Sequence, residues 1–510
     1  MKILFVVADP RPLFLPDSAS RASARLPALC LELQRAGHEV SIVSPYHAPS
    51  LANVASGSGS GGGVGRAGAG KIKPTGVTIS FPLGARSDVA VETWEVRAPQ
   101  GLQVFLLKSA GYFEGPDAPI AEHDLAAGAL FAKAVVELTR RLNPAPDVVQ
   151  AHDWPGALAL VLLRAARLPF STTLVLPADL RAQGSFPVED FNLLNLGWEW
   201  FTPAGMEFYG RLNCLKAGIV VADALVADGE GDRRAVQTPA GGGGLDAVLR
   251  EHAGRLHGII DGLDEAAWNP STDKLLPRKY RPAALGGKRT SANVFLASLG
   301  LKKAPVGPVF TLTRPAVDGT APLEGLEQLA PILNEILNDD ARLIVAGGPA
   351  PDPSAAPERA LALAAKRFPE KVALVRDPAD LDERFERSLL AAADFTLVLG
   401  RGRGVGAGVL RALRYGVVPI VPAGTGLETL VDDYRPGANG AGVHGHALYY
   451  YSPTTDALVD TVFGRARPLV AEQPVRWEAL RQHAMARAGK FNWARTAAEY
   501  SALYAKLRGQ

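Results

Sequence analysis

Residues 3–8 read ILFVVA and residues 38–45 read HEVSIVSP, and this opening stretch decides the fold class. The first is a short continuous apolar run that stops at Asp9, as a parallel strand buried on both faces requires. A helical stretch follows from about Ala19 to Gly37, and the second run is again strand-like. Strand, helix, strand is the unit from which parallel sheets with helix-covered faces are built. The order recurs, because TLVLP at 173–177 and LVAD at 225–228 are further strand candidates separated by alanine-rich helical segments. The first half is therefore α/β. Since the apolar run of MKILFVVADP ends at Asp9 with no small-residue cleavage site after it, we read it as a strand and not a signal sequence.

The alternation restarts in the second half. VGPVFTLTRP (306–315), ARLIVAGGP (341–349), VALVRDP (372–378), DFTLVLGRG (394–402) and VVPIVPAG (417–424) each end an apolar run in turn-forming residues, with helical segments between them. A chain of 510 residues exceeds what one core usually organises, so two doubly wound domains of roughly 250 residues each are expected. Ligands of such sheets sit beyond the carboxyl ends of the strands. Two such domains facing each other across a cleft would place their loops on a shared ligand. Residues 56–71, SGSGSGGGVGRAGAGK, have too few side chains to offset their ordering entropy, so 52–73 is expected to be a flexible insertion. LLPRKYRPAALGGKRTSAN (275–293) is basic and contains Pro and Gly, which suggests an approach to a linker.

Composition excludes several classes. Lys and Arg number 54 against 52 Asp and Glu, so the net charge of +2 offers no general nucleic-acid or membrane surface. No run of about 18 apolar residues is present, which argues against a membrane span. The two cysteines, Cys30 and Cys214, lie in apolar helical segments and are expected to be buried thiols, consistent with a cytoplasmic protein.

The stretch from Val188 to Asp228, VEDFNLLNLGWEWFTPAGMEFYGRLNCLKAGIVVADALVAD, is similar to W-E-F-F-T-P-x-G-x-E-F-Y-G followed by L-K-A-G. That pattern is highly specific. It continues through QTPAGGGGLDAVL (237–249), HGIIDGLDEAAWNPSTD (257–273), RALRYGVVPIV (411–421) and FNWARTAAEYSALY (491–504). On these residues the chain resembles the bacterial glycogen (starch) synthases along nearly its whole length. The resemblance implies a GT-B fold, two Rossmann-like domains facing across a deep cleft, with the acceptor α-glucan mainly on the first and ADP-glucose mainly on the second. It implies domains at 1–285 and 290–480, and a C-terminal helix at 481–510 packing back towards the first. The implied reaction transfers glucose from ADP-glucose to an α-1,4-glucan with retention, without metal or other cofactor. An enzyme of that kind must stabilise a departing diphosphate with basic groups and amide dipoles.

The family positions can be followed one by one. Where the family has a lysine- and glycine-rich loop ending in an aspartate, PLFLPDSASR (12–21) places Leu15 at the lysine and Arg21 at the aspartate. H-A-H-D-W-H appears as QAHDWP and keeps His152, Asp153 and Trp154; Asp153 is the candidate for sugar hydroxyls, and His152 and Trp154 either line the cleft or brace the strand end. H-N-x-x-Y-Q-G aligns with PADLRAQG, leaving Ala178 at the histidine and Asp179 at the asparagine while Gln183 and Gly184 remain. Losing one transition-state donor lowers the rate by about 10²- to 10³-fold. In TRPAVDGTAPLEGL (313–326), Arg314 matches the family arginine and Glu324 falls at its lysine. Ala379 stands where relatives stack adenine on a tyrosine, and Arg403 stands where they have a donor-sugar glutamate.

GRGRGVGAG (400–408) still leads into a helix, so its backbone, Gly404 and Gly406 included, could cradle an anion with Arg401 and Arg403 adding charge; a mobile linker has the same composition. GTGL (424–427) keeps Gly426 as a candidate for phosphate approach. If the alignments hold, Glu324 and Arg403 would pair across the old donor site and plug it. These substitutions point to a glycogen-synthase homologue with little or no ADP-glucose transfer, acting in α-glucan metabolism through glucan binding or beside an active synthase. A transferase with a changed nucleotide-sugar donor is the alternative. A nicotinamide oxidoreductase, suggested by the spacing of Gly402, Gly404 and Ala407, lacks the acidic residue that should end the next strand, where VVPIV runs into Pro422.

Overall fold

A computed structural model describes residues 1–9, 13, 21–48, 51, 71–98, 101–114, 120–177, 179–302, 307–313, 325–338, 340–347, 352–377, 380–399, 405–437, 443–452 and 454–509. The chain divides into two compact units. The first comprises Met1–Asp228, Val236–Ile259 and Thr496–Gln510, and the second Gly229–Ala235 and Ile260–Arg495.

The first unit is built on nine strands: β1 (Lys2–Val6), β2 (Glu39–Pro45), β3 (Lys73–Leu83), β4 (Arg86–Arg97), β5 (Gln103–Lys108), β6 (Val148–His152), β7 (Ser171–Val175), β11 (Ala224–Asp228) and β12 (Leu256–Ile259). Three short strands, β8 (Ser185–Phe186), β9 (Glu207–Phe208) and β10 (Arg211–Asn213), form a separate antiparallel patch. The large sheet runs β12-β11-β7-β6-β1-β2-β5-β4-β3. Its first seven members are parallel, and β4 and β3 add an antiparallel meander at the edge. That meander is a feature the sequence reading missed. Its signal is the alternation that buries Ile79, Phe81 and Leu83 and leaves their neighbours exposed, as a sheet solvated on one face shows. Strand β3 begins at Lys73, whereas 52–70 lie outside the described residues.

Helices α1 (Arg21–Arg35), α2 (Leu125–Arg141), α3 (Asp153–Ala165) and α4 (Cys214–Val221) belong to this unit. Helix α2 starts where the Asp124 carboxylate accepts from the Ala127 N–H at 2.9 Å, an N-cap that satisfies one orphan donor. Its residues from Leu125 to Thr139 are buried almost all round, as a helix enclosed by the core must be. Glycine permits close crossings here. A Cβ on Gly218 would meet that of Ala157 at 2.4 Å, so α4 lies against α3 only because Gly218 has none. Phe5, Phe131 and Phe191 are among the largest fully buried side chains, each contributing about 1.5–3 kcal/mol by burial. Cys30 and Cys214 are both buried.

The second unit carries β13 (Val309–Thr313), β14 (Arg342–Ala346), β15 (Val372–Val375), β16 (Phe395–Leu397), β17 (Val418–Pro422), a small antiparallel pair β18 (Arg435–Pro436) and β19 (Val443–His444), and β20 (Leu448–Tyr450). Its main sheet is wholly parallel in the order β15-β14-β13-β16-β17-β20. Helices α5 (Gly229–Ala235), α6 (Gly286–Ser298), α7 (Glu383–Ala392), α8 (Val405–Arg414) and α9 (Pro474–Ala488) lie in this unit, and α10 (Trp493–Arg508) passes into the first.

Two boundaries differ from the sequence reading. Residues 260–285, placed in the first domain by resemblance, belong to the second unit. Trp268 explains why. The Arg387 and Arg411 guanidiniums lie over its ring, 4.6 and 5.0 Å from its centre, and Asp273 accepts from Tyr415 Oη at 2.5 Å. The basic 275–293 segment is likewise no linker. Tyr280 Oη donates to the Tyr415 carbonyl at 2.9 Å, and the buried Lys288 ammonium donates to the Leu390 and Tyr415 carbonyls at 2.7 and 3.0 Å. Basic composition with Pro and Gly suggested an approach to a linker, but a lysine that finds carbonyls can enter a core. At the other end, 481–495 stay with the second unit and only 496–510 join the first. Tyr504 Oη donates to the Gln150 side-chain carbonyl, Ser501 Oγ lies 2.9 Å from His38 Nε2, and Arg508 pairs with Asp147 at 3.2 Å.

Candidate functional site

Ligands of a doubly wound sheet collect where the strand order reverses. In the first unit the chain moves from β1 towards β2 and β5, then returns to the other side of β1 with β6, so the reversal lies between β1 and β6. Asp9 follows β1, and His152 and Asp153 end β6 and begin α3. The sequence reading selected His152 and Asp153 but missed Asp9, whose signal is a carboxylate just past the first strand.

Asp153 has a φ of +59°, in the left-handed region that disfavours side chains other than those of Asn and Asp. This turn from strand to helix leaves Asp153 as a residue partly open to solvent. Surrounding protein nevertheless pushes the carboxyl up to about 6, first by desolvation and then by the Asp9 charge. The amino end of α3 favours the ionised form, so desolvation and a like charge outweigh the helix dipole. His152 provides no side-chain cap to α3. Its ring stacks on Phe5 at 6.1 Å, and its Nε2 lies 3.3 Å from the Gln150 amide nitrogen. An amide NH₂ only donates, so that ring nitrogen accepts, and burial pulls the His152 pKa down to about 4, keeping the imidazole neutral. A Tyr504–Gln150–His152 chain of hydrogen bonds therefore backs the site. Such a neutral imidazole beside a carboxylate suits the hydroxyls of a polyol.

The other first-unit candidates form the support. Trp154 is 4% exposed, meets Phe186 edge to face at 5.4 Å, and lies between Gly128 and Gly184, where a Cβ would come within 2.4 and 2.6 Å of its ring. It is a wedge in the core, so of the two readings left open for it, bracing is the one this burial matches. Gln183 is similarly engaged: its amide donates to the Leu180 and Gly243 carbonyls at 2.8 and 2.7 Å, and its oxygen accepts from Asn213 at 2.6 Å. Asn213 in turn caps α4 through the Lys216 N–H at 2.9 Å. The Lys216 ammonium, 3% exposed, donates to the carbonyls of Pro203, Gly205 and Glu207. The motif that carried the resemblance is thus a polar cradle fixing the loop at 198–207. Asp179, which follows Ala178 in the sequence, pairs with Arg181 at 2.7 Å.

In the second unit the strand order reverses between β13 and β16. Arg314, Glu324, Arg401, Arg403 and Gly404, which follow these strands, lie outside the described residues, as do Leu15, Ala178, Ala379 and the side chain of Arg21. The proposed Glu324–Arg403 plug therefore lies outside them too. The described flanks do converge, since a Cβ on Gly325, at φ +74°, would meet that of Leu399 at 2.4 Å. Gly406 in α8 faces Ile260, whose Cδ1 would lie 2.7 Å from a Cβ there, so close packing accounts for that glycine. Gly426, at φ +88°, approaches the Gly231 backbone within 2.7 Å of where a Cβ would stand. Its N–H donates to Glu428 Oε2 at 2.7 Å, and the Gly424 N–H donates to the other carboxylate oxygen. The amides that could approach phosphate are thus occupied by the chain's own carboxylate, a feature absent from the sequence reading. Among the described residues no cluster of three or more His, Cys, Asp or Glu could hold a metal, and no helix is long and apolar enough to cross a membrane.

Comparison with known proteins adds the following. Residues 23–251 match the family described as the starch synthase catalytic domain. The chain is 30% identical over 525 residues to a glycogen synthase from Myxococcus xanthus, covering 99% of both chains. It is 31% identical over 523 residues to a glycogen synthase from Anaeromyxobacter, again covering 99% of both. The solved catalytic domain of starch synthase IV from Arabidopsis thaliana, bound to ADP and acarbose, superposes over 100% of both chains with a TM-score of 0.77 and 19% identity.

Proposed function

The chain belongs to the glycogen and starch synthase family and has its GT-B fold, and from that premise we propose that it serves α-glucan metabolism in the cytoplasm with little or no transfer of glucose from ADP-glucose. It acts by holding glucan, alone or beside an active synthase. The observation that carries this reading is a contrast between two sets of residues. Lys216, Asn213 and Gln183 form a hydrogen-bonded supporting framework with Trp154 wedged against Gly184, and Asp153 begins α3 on a left-handed turn. At the family's donor positions stand Leu15, Arg21, Ala178, Glu324, Ala379 and Arg403. Random decay would harm core and site alike; here the framework is complete while basic and aromatic donor groups are replaced. Any two such replacements raise a barrier by several kcal/mol, though their effects do not simply sum.

In this reading Asp153 accepts hydrogen bonds from glucan hydroxyls, and Glu428 fills the amide nest at Gly424 and Gly426 that a diphosphate would otherwise reach. No metal or cofactor takes part. The deciding experiment incubates the purified protein with labelled ADP-glucose and glycogen: turnover at ordinary enzyme rates of roughly 1 to 10³ s⁻¹ removes the reading. The GRGRGVGAG run leading into α8, with Arg401 and Arg403, favours a second reading as a transferase for another nucleotide sugar. A thermal-shift panel tests it, since a ligand at 100 times its Kd stabilises by about 2.7 kcal/mol, and a panel without any shift ends it.

A further inference from the structure

Between Leu125 and Thr139, helix α2 leaves only Ala126, Lys133 and Glu137 less than buried, and their spacing puts them on one stripe. A lysine with a glutamate one turn further on ordinarily pairs with it. Here Glu137 is taken instead by Arg140 and Arg141, at 2.7 and 2.8 Å. The Lys133 side chain turns to two uncharged oxygens. Its Nζ donates to the Pro82 carbonyl and to Asn195 Oδ1, both at 2.8 Å, and both bonds lie at the surface. Among the described residues no carboxylate pairs with it, Glu189 and Asp190 on the neighbouring segment included. Two acceptors match the two N–H groups of a neutral amine and leave its lone pair directed elsewhere, whereas an ammonium has a third N–H that finds no protein acceptor. Desolvation without a compensating carboxylate accordingly pulls the Lys133 pKa down to about 8.

Two other lysines lie in carbonyl cradles, and each lacks one of these properties. Lys216, 3% exposed, has three carbonyl acceptors, one for each N–H of an ammonium. Lys288, also 3% exposed, has two, but it is enclosed in the second unit's core over the Tyr280 ring, 5.7 Å from its centre. Of the three, Lys133 alone combines a missing acceptor with access to solvent.

Its acceptors also tie separate pieces of chain together. Asn195, at φ +53°, a left-handed value that asparagine tolerates, ends the short 3₁₀ helix Val188–Leu194. Its side chain clasps Gly84 in the β3–β4 turn: Oδ1 accepts from the Gly84 N–H at 3.0 Å, and Nδ2 donates to the Gly84 carbonyl at 2.9 Å. Lys133 thus fastens the hairpin, through Pro82, and the 188–195 segment, through Asn195, to one helix. An acyl group on Nζ would leave one N–H for two oxygens and add bulk where they converge.

We propose that Lys133 is an acylation site, its ε-amine taking an acyl group from an acyl phosphate or an acyl thioester, and that the modification releases the β3–β4 hairpin from the 188–195 segment. The amine lone pair forms the N–C bond at the acyl carbon. The C–O bond to phosphate or the C–S bond to the thiol breaks with its electron pair, and the surplus proton on nitrogen passes through water to the leaving group.

The test incubates the folded full chain at about pH 8 with acetyl phosphate and, separately, with acetyl coenzyme A, and follows each lysine by peptide mass mapping. At that pH Lys133 holds roughly a hundredfold more neutral amine than a lysine at the usual 10.5, and its lower basicity takes back part of this advantage. The expected rate is about tenfold that of the exposed Lys302, which pairs with Glu370, while Lys216 and Lys288 react only after unfolding in urea. Faster reaction with either donor supports the site and identifies its source. A Lys133 that outpaces Lys302 with neither donor overturns it, as does equal reaction of Lys288 in the folded chain, which would trace both to unfolding. Release is read by hydrogen exchange at the Gly84 amide. Exchange should be severalfold faster in the acylated chain and in Lys133→Gln, and within about twofold of the parent in Lys133→Arg, which keeps the donors but takes no acyl group. Unchanged exchange in the acylated chain overturns the release; should Lys133→Gln fold poorly, the acylated parent alone decides.

Discussion

Replacing Lys216 by methionine keeps the aliphatic stem and deletes the ammonium that holds the loop at 198–207. That ammonium donates to the Pro203 carbonyl, to Gly205 at 2.7 Å and to Glu207 at 3.2 Å. A hydrogen bond to a charged group contributes about 1.5–3 kcal/mol net. Two terms reduce the sum. Burial already lowers the Lys216 pKa, ahead of the opposing pull of Glu207 and Glu251, so its removal recovers part of a desolvation penalty. Pro203 is exposed and Gly205 half-buried, so water can replace part of what is lost. The expected loss is about 2–4 kcal/mol, which for a unit of this size lowers Tm by roughly 4–16 °C. Differential scanning calorimetry measures it, and chymotryptic cleavage after Trp200 or Phe201 should accelerate in parallel. A variant that melts within about 2 °C of the parent and resists cleavage equally would refute the cradle.

Gly184→Ala places a Cβ 2.6 Å from the Trp154 ring at a φ of +58°, and urea unfolding should show a loss of about 2–4 kcal/mol; less than about 1 kcal/mol would mean that Trp154 is no wedge. His152, lowered to about 4, refuses a proton that the unfolded chain accepts at 6.5, so its stability contribution is complete above that pH and is lost as pH falls towards 4. Asp153, raised to about 6, has the opposite sign, and the two partly offset each other. His152→Asn should therefore flatten the acid side of the unfolding profile, and an unchanged slope would refute the neutral imidazole. Glucan affinity should fall as pH drops from about 7 to 5 in the parent and stay level in Asp153→Asn; parallel curves would remove the carboxylate from binding. Glu428→Ala frees the Gly424 and Gly426 amides, so ADP should raise the melting temperature of this variant more than that of the parent, and an equal or smaller shift would count against the occupied nest.

The parallel sheets were legible because continuous apolar runs as short as ILFVVA and VVPIV, bounded by turn residues, have few other uses in a chain that folds around a core. The meander of β3 and β4 obeys a different period, visible in the alternation through Ile79 and Phe81, and a search for buried runs passes over it. The segment around Trp268 and Lys288 was misplaced because its partners, Arg387, Arg411 and Tyr415, stand more than a hundred residues away. Asp153 was selected by its motif, but its left-handed turn, its neighbour Asp9 and the Gln150–Tyr504 support depend on geometry that spacing does not encode. Gly426 was legible as a loop glycine, while Glu428, which takes its amide, was hidden as one more acidic residue.

The chain passes between its two units four times, at 228–229, 235–236, 259–260 and 495–496. The ribosome therefore finishes the second unit's share of sequence before it delivers the last piece of the first. Until Tyr504 emerges, Gln150 lacks the hydroxyl that backs His152, so the nascent first unit must wait, nearly complete, while the whole 260–495 stretch of the second is made.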